Sequence, residues 1–422
     1  MKKNYIALLL CCSCFTGFAQ QDLEKDIAGV EPKVIEWRRH FHQNPELSNR
    51  EFNTSEKIAE HLKGLGIEVQ TGIAKTGVVG ILKGKKPGKV IALRADIDAL
   101  PVTERVDVPF KSTVQTEYLG KETGVMHACG HDTHIAIMMG VAEVLSKNNN
   151  FAGTVKFIFQ PAEEGPPPGE EGGADLMIRE GVLKNPDVEA IFGLHISSMT
   201  DVGQITYKPG GTMAAAQEFE IHVKGEQSHG SAPWTGVDPV FVSAKIIDGL
   251  QSIISREMEL TNEAAVITVG KITSGVRHNI IPETAEMLGT IRTLDYDMQK
   301  LLNRRMEEMV TTIAKAYKAE ATIKIAKGLP ITYNDPDLTA KTLPSLQKAA
   351  GKENVILTKA VTGAEDFSFF QEKIPGFYFF LGGKPKDKAP TQHHTPDFYI
   401  DESGMILGVK AFTQIVFDYL GQ

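Results

Sequence analysis

Beyond its first twenty residues the chain has almost no cysteine. Cys11, Cys12 and Cys14 fall in the N-terminal segment, and Cys129 alone follows. A single cysteine cannot close an internal disulfide, so the remainder is not a disulfide-stapled scaffold. A long basic run is also missing. The net charge is −8 over 422 residues, which speaks against nucleic acid or an anionic membrane surface as partner. No later stretch is apolar for long enough to form a transmembrane helix, so membrane integration is not expected. Repeats are absent too, and low complexity is confined to the Pro-rich tract between Gly165 and Gly173.

What is present begins with a targeting pattern. Lys2 and Lys3 precede the apolar run Ile6 to Cys12, and Gly17-Phe18-Ala19 offers a small-x-small cleavage site before Gln20. Residues 1–20 read as an export signal, and the expected location is the periplasm of a Gram-negative bacterium. Lipoprotein cleavage before Cys14 is disfavoured, because Cys11 stands where an aliphatic residue is preferred.

A hydrophobic content of 42% suits sizeable cores, and the remaining length suits roughly two or three domains. Up to 211 the texture is α/β. Helices are expected over 34–42, 55–65 and 135–145, the last capped by Asp132 or Thr133, and buried strands over 89–96 and 154–160. From 212 to 328 the order becomes strand, helix, strand, strand, helix, strand, which fits a ferredoxin-like αβ sandwich. The α/β texture then returns over 329–422. An inserted domain inside a split α/β domain (21–211 and 329–422) explains this better than three domains in series.

The chemistry concentrates in four places. Met126-His127-Ala128-Cys129-Gly130-His131-Asp132-Thr133-His134 holds a thiol and three imidazoles within nine residues, and Cys129 and His131 can reach one metal ion from a tight turn. Asp96 and Asp98 follow a strand, where a carboxylate can hold a ligand imidazole in the right tautomer. Glu163 and Glu164 also follow a strand. Adjacent acids point apart, so one can bind metal while the other acts as general base. His195 ends an apolar run, and His393-His394 lies in a loop. Singly, each also fits a solvated turn or a satisfied half-buried side chain. Together Cys129, His131, Glu164, His195 and His394 are too many for one catalytic zinc and suit two ions sharing a bridging group.

These runs, with QPAEE, GLH, SHGSAP, NIIPETAE, GTIRT, GAEDF, HHTPDF and RRHFHQNPELS in the same chain, resemble the aminoacylase–carboxypeptidase metallopeptidase family. The nearest branch is that of bacterial hippurate hydrolases, N-acyl-amino-acid amidohydrolases and plant auxin-conjugate hydrolases. The resemblance implies a split catalytic domain with a central mixed sheet flanked by helices, and an inserted lid domain that commonly dimerises. It implies Cys129, His131, Glu164, His195 and His394 as ligands, with Cys129 bridging and His394 rather than His393 in the ligand position. Glu163 matches the general base, and His229 a lid histidine that reaches substrate. Asn279, Arg292 and Gly363 match substrate-side positions, and Asp98 and Asp132 are expected to support the ligands. Two departures stand out: the Pro-rich tract after Glu164 is longer than usual, and Ser197-Ser198 follows His195 where proline is common.

The expected reaction is hydrolysis of an N-acyl amino acid by water activated between two divalent ions, with Glu163 as base. Zn²⁺ suits the mixed ligands, and Mn²⁺, Co²⁺ or Ni²⁺ could also occupy such a site. A dipeptidase or carboxypeptidase would use the same site on short peptides. An exported protein that binds metal or an acylated ligand would need the ligands but not Glu163.

Overall fold

The computed structural model describes the chain over 6–421 and its side chains over 23–421. The start of the expected export signal, and the side chains of Cys11, Cys12 and Cys14, lie outside those residues. The described chain divides into two units. The first comprises the chain up to Pro209, Asn334–Thr358 and Phe370 onwards; the second comprises Gly210–Tyr333 and Lys359–Phe369. The short segment Lys359–Phe369 sits outside the range 212–328 expected from sequence. It joins the second unit through backbone bonds from Val361 to Thr212 and from Ala214 to Gly363.

The first unit is built on an eight-stranded mixed sheet. Its middle is four parallel neighbours, Ala152–Gln160, Lys86–Asp96, Ala190–Asp201 and Gly376–Lys384. Their stretches 91–96, 155–160, 190–196 and 376–379 are buried without a break, as parallel strands covered on both faces must be. Gly77–Lys83 pairs antiparallel beside Ala152–Gln160, which makes the sheet mixed. Crossovers between parallel strands leave the loops at their carboxyl ends free to build a site.

Helix His131–Lys147 is buried from His131 to Leu145. It packs between the helices Ile6–Gln43 and Met405–Leu420 so closely that a Cβ on Gly140 would lie 2.7 Å from Val34 and 3.1 Å from Val409. The first of those helices runs well past the 34–42 expected and continues through Pro32. Ile27, Val30, Val34 and Phe41 form one buried stripe along it, and that burial outweighs the missing N–H of Pro32.

The expected cap of the central helix is not found. The helix is preceded by Gly130 at φ 91°, with no side-chain cap. A Cβ there would meet Ile196 at 2.3 Å, so both the left-handed backbone and the close approach require glycine. Asp132 is drawn elsewhere. Its Oδ2 lies 2.8 Å from Arg38 Nε and 2.9 Å from His42 Nδ1, and His42 Nε2 lies 3.1 Å from Glu104 Oε1. All four side chains are buried.

In the second unit the six elements appear in the expected order. The strands run Ala265–Ser274, Thr284–Thr293, Ala215–Lys224, Glu320–Ile325 across an antiparallel sheet. Helices Pro239–Arg256 and Tyr296–Ala316 are capped by Asp238 and Asp295, whose carboxylates accept two backbone N–H bonds each. Val242, Ile246, Leu250 and Ile253 on one helix, and Leu302, Met306 and Val310 on the other, supply the core with Phe219, Ile221 and Val223.

Burial alone would push the Asp132 carboxyl up, but Arg38 and His42 hold it well below the usual range. Such a depressed group contributes stability that is present above about pH 4 and lost as pH falls. Asp132→Ala breaks the buried pairs to Arg38 and His42, leaving Arg38 only Glu402 at 3.2 Å, and is expected to cost about 3–5 kcal/mol. Urea unfolding with chelator present should show that loss near pH 7 and a smaller gap from wild type on acidification. Equal stability at pH 7 would mean that the pairing does not hold the helices together.

Candidate metal centre

The candidate ligands in the first unit converge on Cys129. Its Sγ lies 3.3 Å from His195 Nε2 and 3.3 Å from His394 Nε2. His394 Nε2 is also 3.0 Å from Glu164 Oε1. Among the groups of close donor atoms, Cys129–His131–His195 and Cys129–Glu164–His394 share the sulfur, and His131–Glu163–Glu164 lies beside them.

The imidazoles are set in ligand tautomers by what their other nitrogens do. His131 Nδ1–H faces the backbone oxygen of Asp98 at 2.9 Å and its Oδ1 at 3.2 Å. His195 Nδ1–H donates to the Ile196 carbonyl at 2.6 Å. In each ring Nε2 is thereby the nitrogen left to face the site. His131 Nε2 is buried with no hydrogen-bond partner, a costly state for a polar atom that has nothing to coordinate. This orphaned nitrogen, beside a buried thiol and two carboxylates, fits a divalent cation. His134, in the same motif, does not. Its Nδ1 lies 2.5 Å from Asp96 Oδ1 and its Nε2 accepts from Ile196 N at 2.8 Å, so both nitrogens are engaged.

The paired histidines divide as their geometry dictates. His393 is half-buried, with Nε2 accepting from Ser198 N at 3.3 Å and Nδ1 3.6 Å from Cys129 Sγ. His394 adopts φ 61° and turns its Nε2 towards Glu164 and Cys129. Ser198 Oγ also donates to Thr391 O at 2.6 Å, so the Ser197-Ser198 pair anchors the loop that carries both rings.

The Glu163-Glu164 pair follows a strained turn. Ala162 has φ 52°, unusual for a residue with a Cβ. Its N–H is held by Glu51 Oε1 at 2.9 Å, while Glu51 Oε2 accepts from Thr76 Oγ1 at 2.6 Å. Burial and the nearby Asp98 charge push the Glu51 carboxyl up to about 7. Past the turn, Glu163 Oε2 lies 3.8 Å from His131 Nε2, and Glu164 Oε1 lies 4.0 Å from it. Glu51 was not singled out by sequence as part of this site, and Asp96, His134, His393 and Ser198 were named there only within their motifs, without the contacts they make here.

Asp98 sits against His131, and Asp132 does not reach a ligand; it faces Arg38 and His42 instead. His229, Asn279, Arg292 and Gly363 belong to the second unit. There, Ser228–His229 pairs with Ile280–Ile281, and Gly230 N donates to Asn279 O at 2.9 Å. His229 Nδ1 accepts from Ser231 N at 3.0 Å. Arg292 Nη1 donates to Ile291 O at 3.1 Å, and Gly363 is exposed in its loop.

The protein's own charges work against the ligand forms. Burial raises the Cys129 thiol, and Glu164, Glu163 and Asp96 raise it further, well above its ordinary value. Burial disfavours a charged His131, yet Asp96, Asp98 and Glu164 outweigh it and push the ring up to about 10. Both groups hold protons at neutral pH, and a cation must displace them. Metal uptake near pH 7 should therefore release about two protons per chain from these groups, and affinity should rise steeply with pH. Calorimetry of Zn²⁺ binding to chelated protein in buffers of different ionisation enthalpy measures this. Uptake without proton release would show that Cys129 and His131 are not both ligands.

Residues 92–418 match the model of peptidase family M20/M25/M40. Thermostable carboxypeptidase 2 of Saccharolobus solfataricus is 42% identical over 395 residues, which cover 93% of this chain and 96% of that one. N-acetyl-L-cysteine deacetylase of Bacillus subtilis is 37% identical, over 90% of this chain and 86% of its own. The solved structure of Bacillus subtilis YXEP, described as a dinuclear metal binding peptidase, superposes with a TM-score of 0.79. It is 35% identical, with 93% of this chain and 99% of that chain covered. With this agreement in sequence and fold, and with a donor set that could hold metal ions, the chain belongs to peptidase family M20/M25/M40 and is a hydrolase of that family.

Proposed function

We propose that the protein cleaves the amide bond of N-acyl amino acids, with Glu163 as general base. The observation that carries this reading is the division of the glutamate pair. Glu164 faces His394 and Cys129, whereas Glu163 stands beside the orphaned nitrogen of His131. Glu164 Oε1 at 3.0 Å from His394 Nε2 supports its reading as a ligand, and Glu163, outside the two donor groups that contain Cys129, is the carboxylate to which this reading gives the proton. Cys129, His131, His195, Glu164 and His394 hold the cations in this reading, and Zn²⁺ suits their sulfur, nitrogen and oxygen donors best. Bound there, the cations supply an acidified water and a polarised carbonyl.

The chain's own groups do the rest. Asp98 and the Ile196 carbonyl fix the rings of His131 and His195. Glu163 takes the proton of the attacking water and hands it to the leaving nitrogen, so the amine departs neutral. His229 is the proposed donor to the developing oxyanion, a role worth about 3 kcal/mol per donor. Asn279, Arg292 and Gly363 are proposed to contact the amino-acid half of the substrate. The second unit exposes Trp234, Val240, Phe241 and Val276, which supports a homodimer formed through it. The Lys2-Lys3 start and the apolar run after it support export to the periplasm.

A second reading is a carboxypeptidase or dipeptidase, favoured by the name of the Saccharolobus relative. The same donor set serves both. Purified protein assayed with N-acetyl, N-benzoyl and long-chain N-acyl amino acids alongside dipeptides separates them. Chelator-sensitive release from the acyl amino acids is expected; release from dipeptides alone would favour the peptidase. A protein that held two metals yet turned over neither class would be a binding protein. Glu163→Ala should lower kcat by about 100-fold to 10,000-fold with metal content unchanged, and near-normal turnover would remove Glu163 from the reaction.

A further inference from the structure

The Pro-rich tract after Glu164 has no part in the steps above, yet it is firmly built. Glu170 accepts from Arg50 Nη2 at 2.5 Å, from Lys75 Nζ at 2.5 Å and from Asn49 Nδ2 at 3.0 Å. The tract faces the antiparallel pair Gln115–Tyr118 and Lys121–Gly124 across a cavity of about 310 Å³, all within the first unit. Leu47, Leu100, Pro101, Leu119, Pro167 and Pro168 give the cavity its apolar lining, and Glu164 stands on its wall. The cavity therefore opens directly beside a proposed metal ligand.

Its charges select between the two halves of an N-acyl amino acid. Arg50 is the one cation among the lining residues, and Glu170 neutralises it. Glu117 and Glu164 are acidic. A substrate α-carboxylate would meet the like charge of Glu117 and no unpaired lining cation, whereas an uncharged apolar group would meet leucine and proline side chains. The volume lies at the low end of small-molecule sites, which span about 300–1,000 Å³. That is room for an aromatic ring or a medium aliphatic chain, and more than an acetyl group fills.

We propose that this cavity receives the acyl group of the substrate, that the acyl group is aromatic or medium-chain aliphatic, and that the Pro-rich tract sets its range. This rests on the amidohydrolase reading. The test is kcat/KM of the metal-loaded protein for N-acetyl, N-hexanoyl, N-benzoyl and N-dodecanoyl methionine. Wild type should favour N-hexanoyl and N-benzoyl over N-acetyl by about tenfold or more. Thr116→Trp, which fills the cavity from the exposed hairpin, should lower the benzoyl-to-acetyl ratio about tenfold. Glu170→Ala, which releases the tract from Arg50, Lys75 and Asn49, should lower the same ratio chiefly by raising KM for the larger groups. If both variants leave the ratios at wild-type values, the acyl group binds elsewhere and the cavity assignment is overturned, while wild-type turnover keeps the amidohydrolase reading standing. If wild type cleaves dipeptides and no acyl amino acid, that reading fails and the cavity assignment fails with it.

Discussion

The carboxylate of Asp98 ties together three stretches of chain that are far apart in sequence. Its Oδ2 accepts from Ser48 Oγ at 2.7 Å and from Glu164 N at 3.1 Å, and its Oδ1 faces His131 Nδ1 at 3.2 Å. Burial opposes an ionised Asp98, but His131, Ser48 and the Glu164 amide together hold its carboxyl below the ordinary value. One buried charge thereby sets a ring tautomer, the course of the chain through the glutamate pair, and the turn that precedes Arg50. An unpaired charge in that place would be far costlier than the bonds are individually worth. The position of Asp98 just past the strand Lys86–Asp96 explains why the site forms at this end of the sheet.

Around Asp98 the polar interior is arranged in two layers. Near the site, Asp96 joins Arg94 and His134, and His134 in turn holds the Ile196 amide beside His195. Further out, Arg38, His42, Glu104 and Asp132 bind the long N-terminal helix to the central one. Both layers lie under apolar helices, so they replace water with fixed partners. Ligand rings held this way need little reorganisation when a cation arrives.

Much of this was legible in the sequence because period and punctuation agree. Pro239–Arg256 and Met405–Leu420 are helices that local pattern explains, since Asp238-Pro239 starts one and an apolar stripe fills the other. The buried strands 89–96 and 154–160 were shortened only at their polar starts. What escaped was long-range. Nothing near Asp132 in sequence announces Arg38, so a helix cap was the natural local reading, and tertiary pairing overrode it. Glu51 looks like an ordinary surface acid until Ala162, 111 residues away, is brought against it. The division of labour between His393 and His394 depends on a left-handed residue and on Ser198, neither of which a paired-histidine motif reveals.

The sharing of Cys129 between two donor groups bears on how the centre fills. If the two cations of the proposed reading both drew on this sulfur, they would share one proton to displace, and the first to enter would meet the thiol while the second met a thiolate. The two sites would then not titrate independently: acidity would govern entry of the first ion more than entry of the second, and the half-filled form would be a distinct chemical species rather than an average of empty and full.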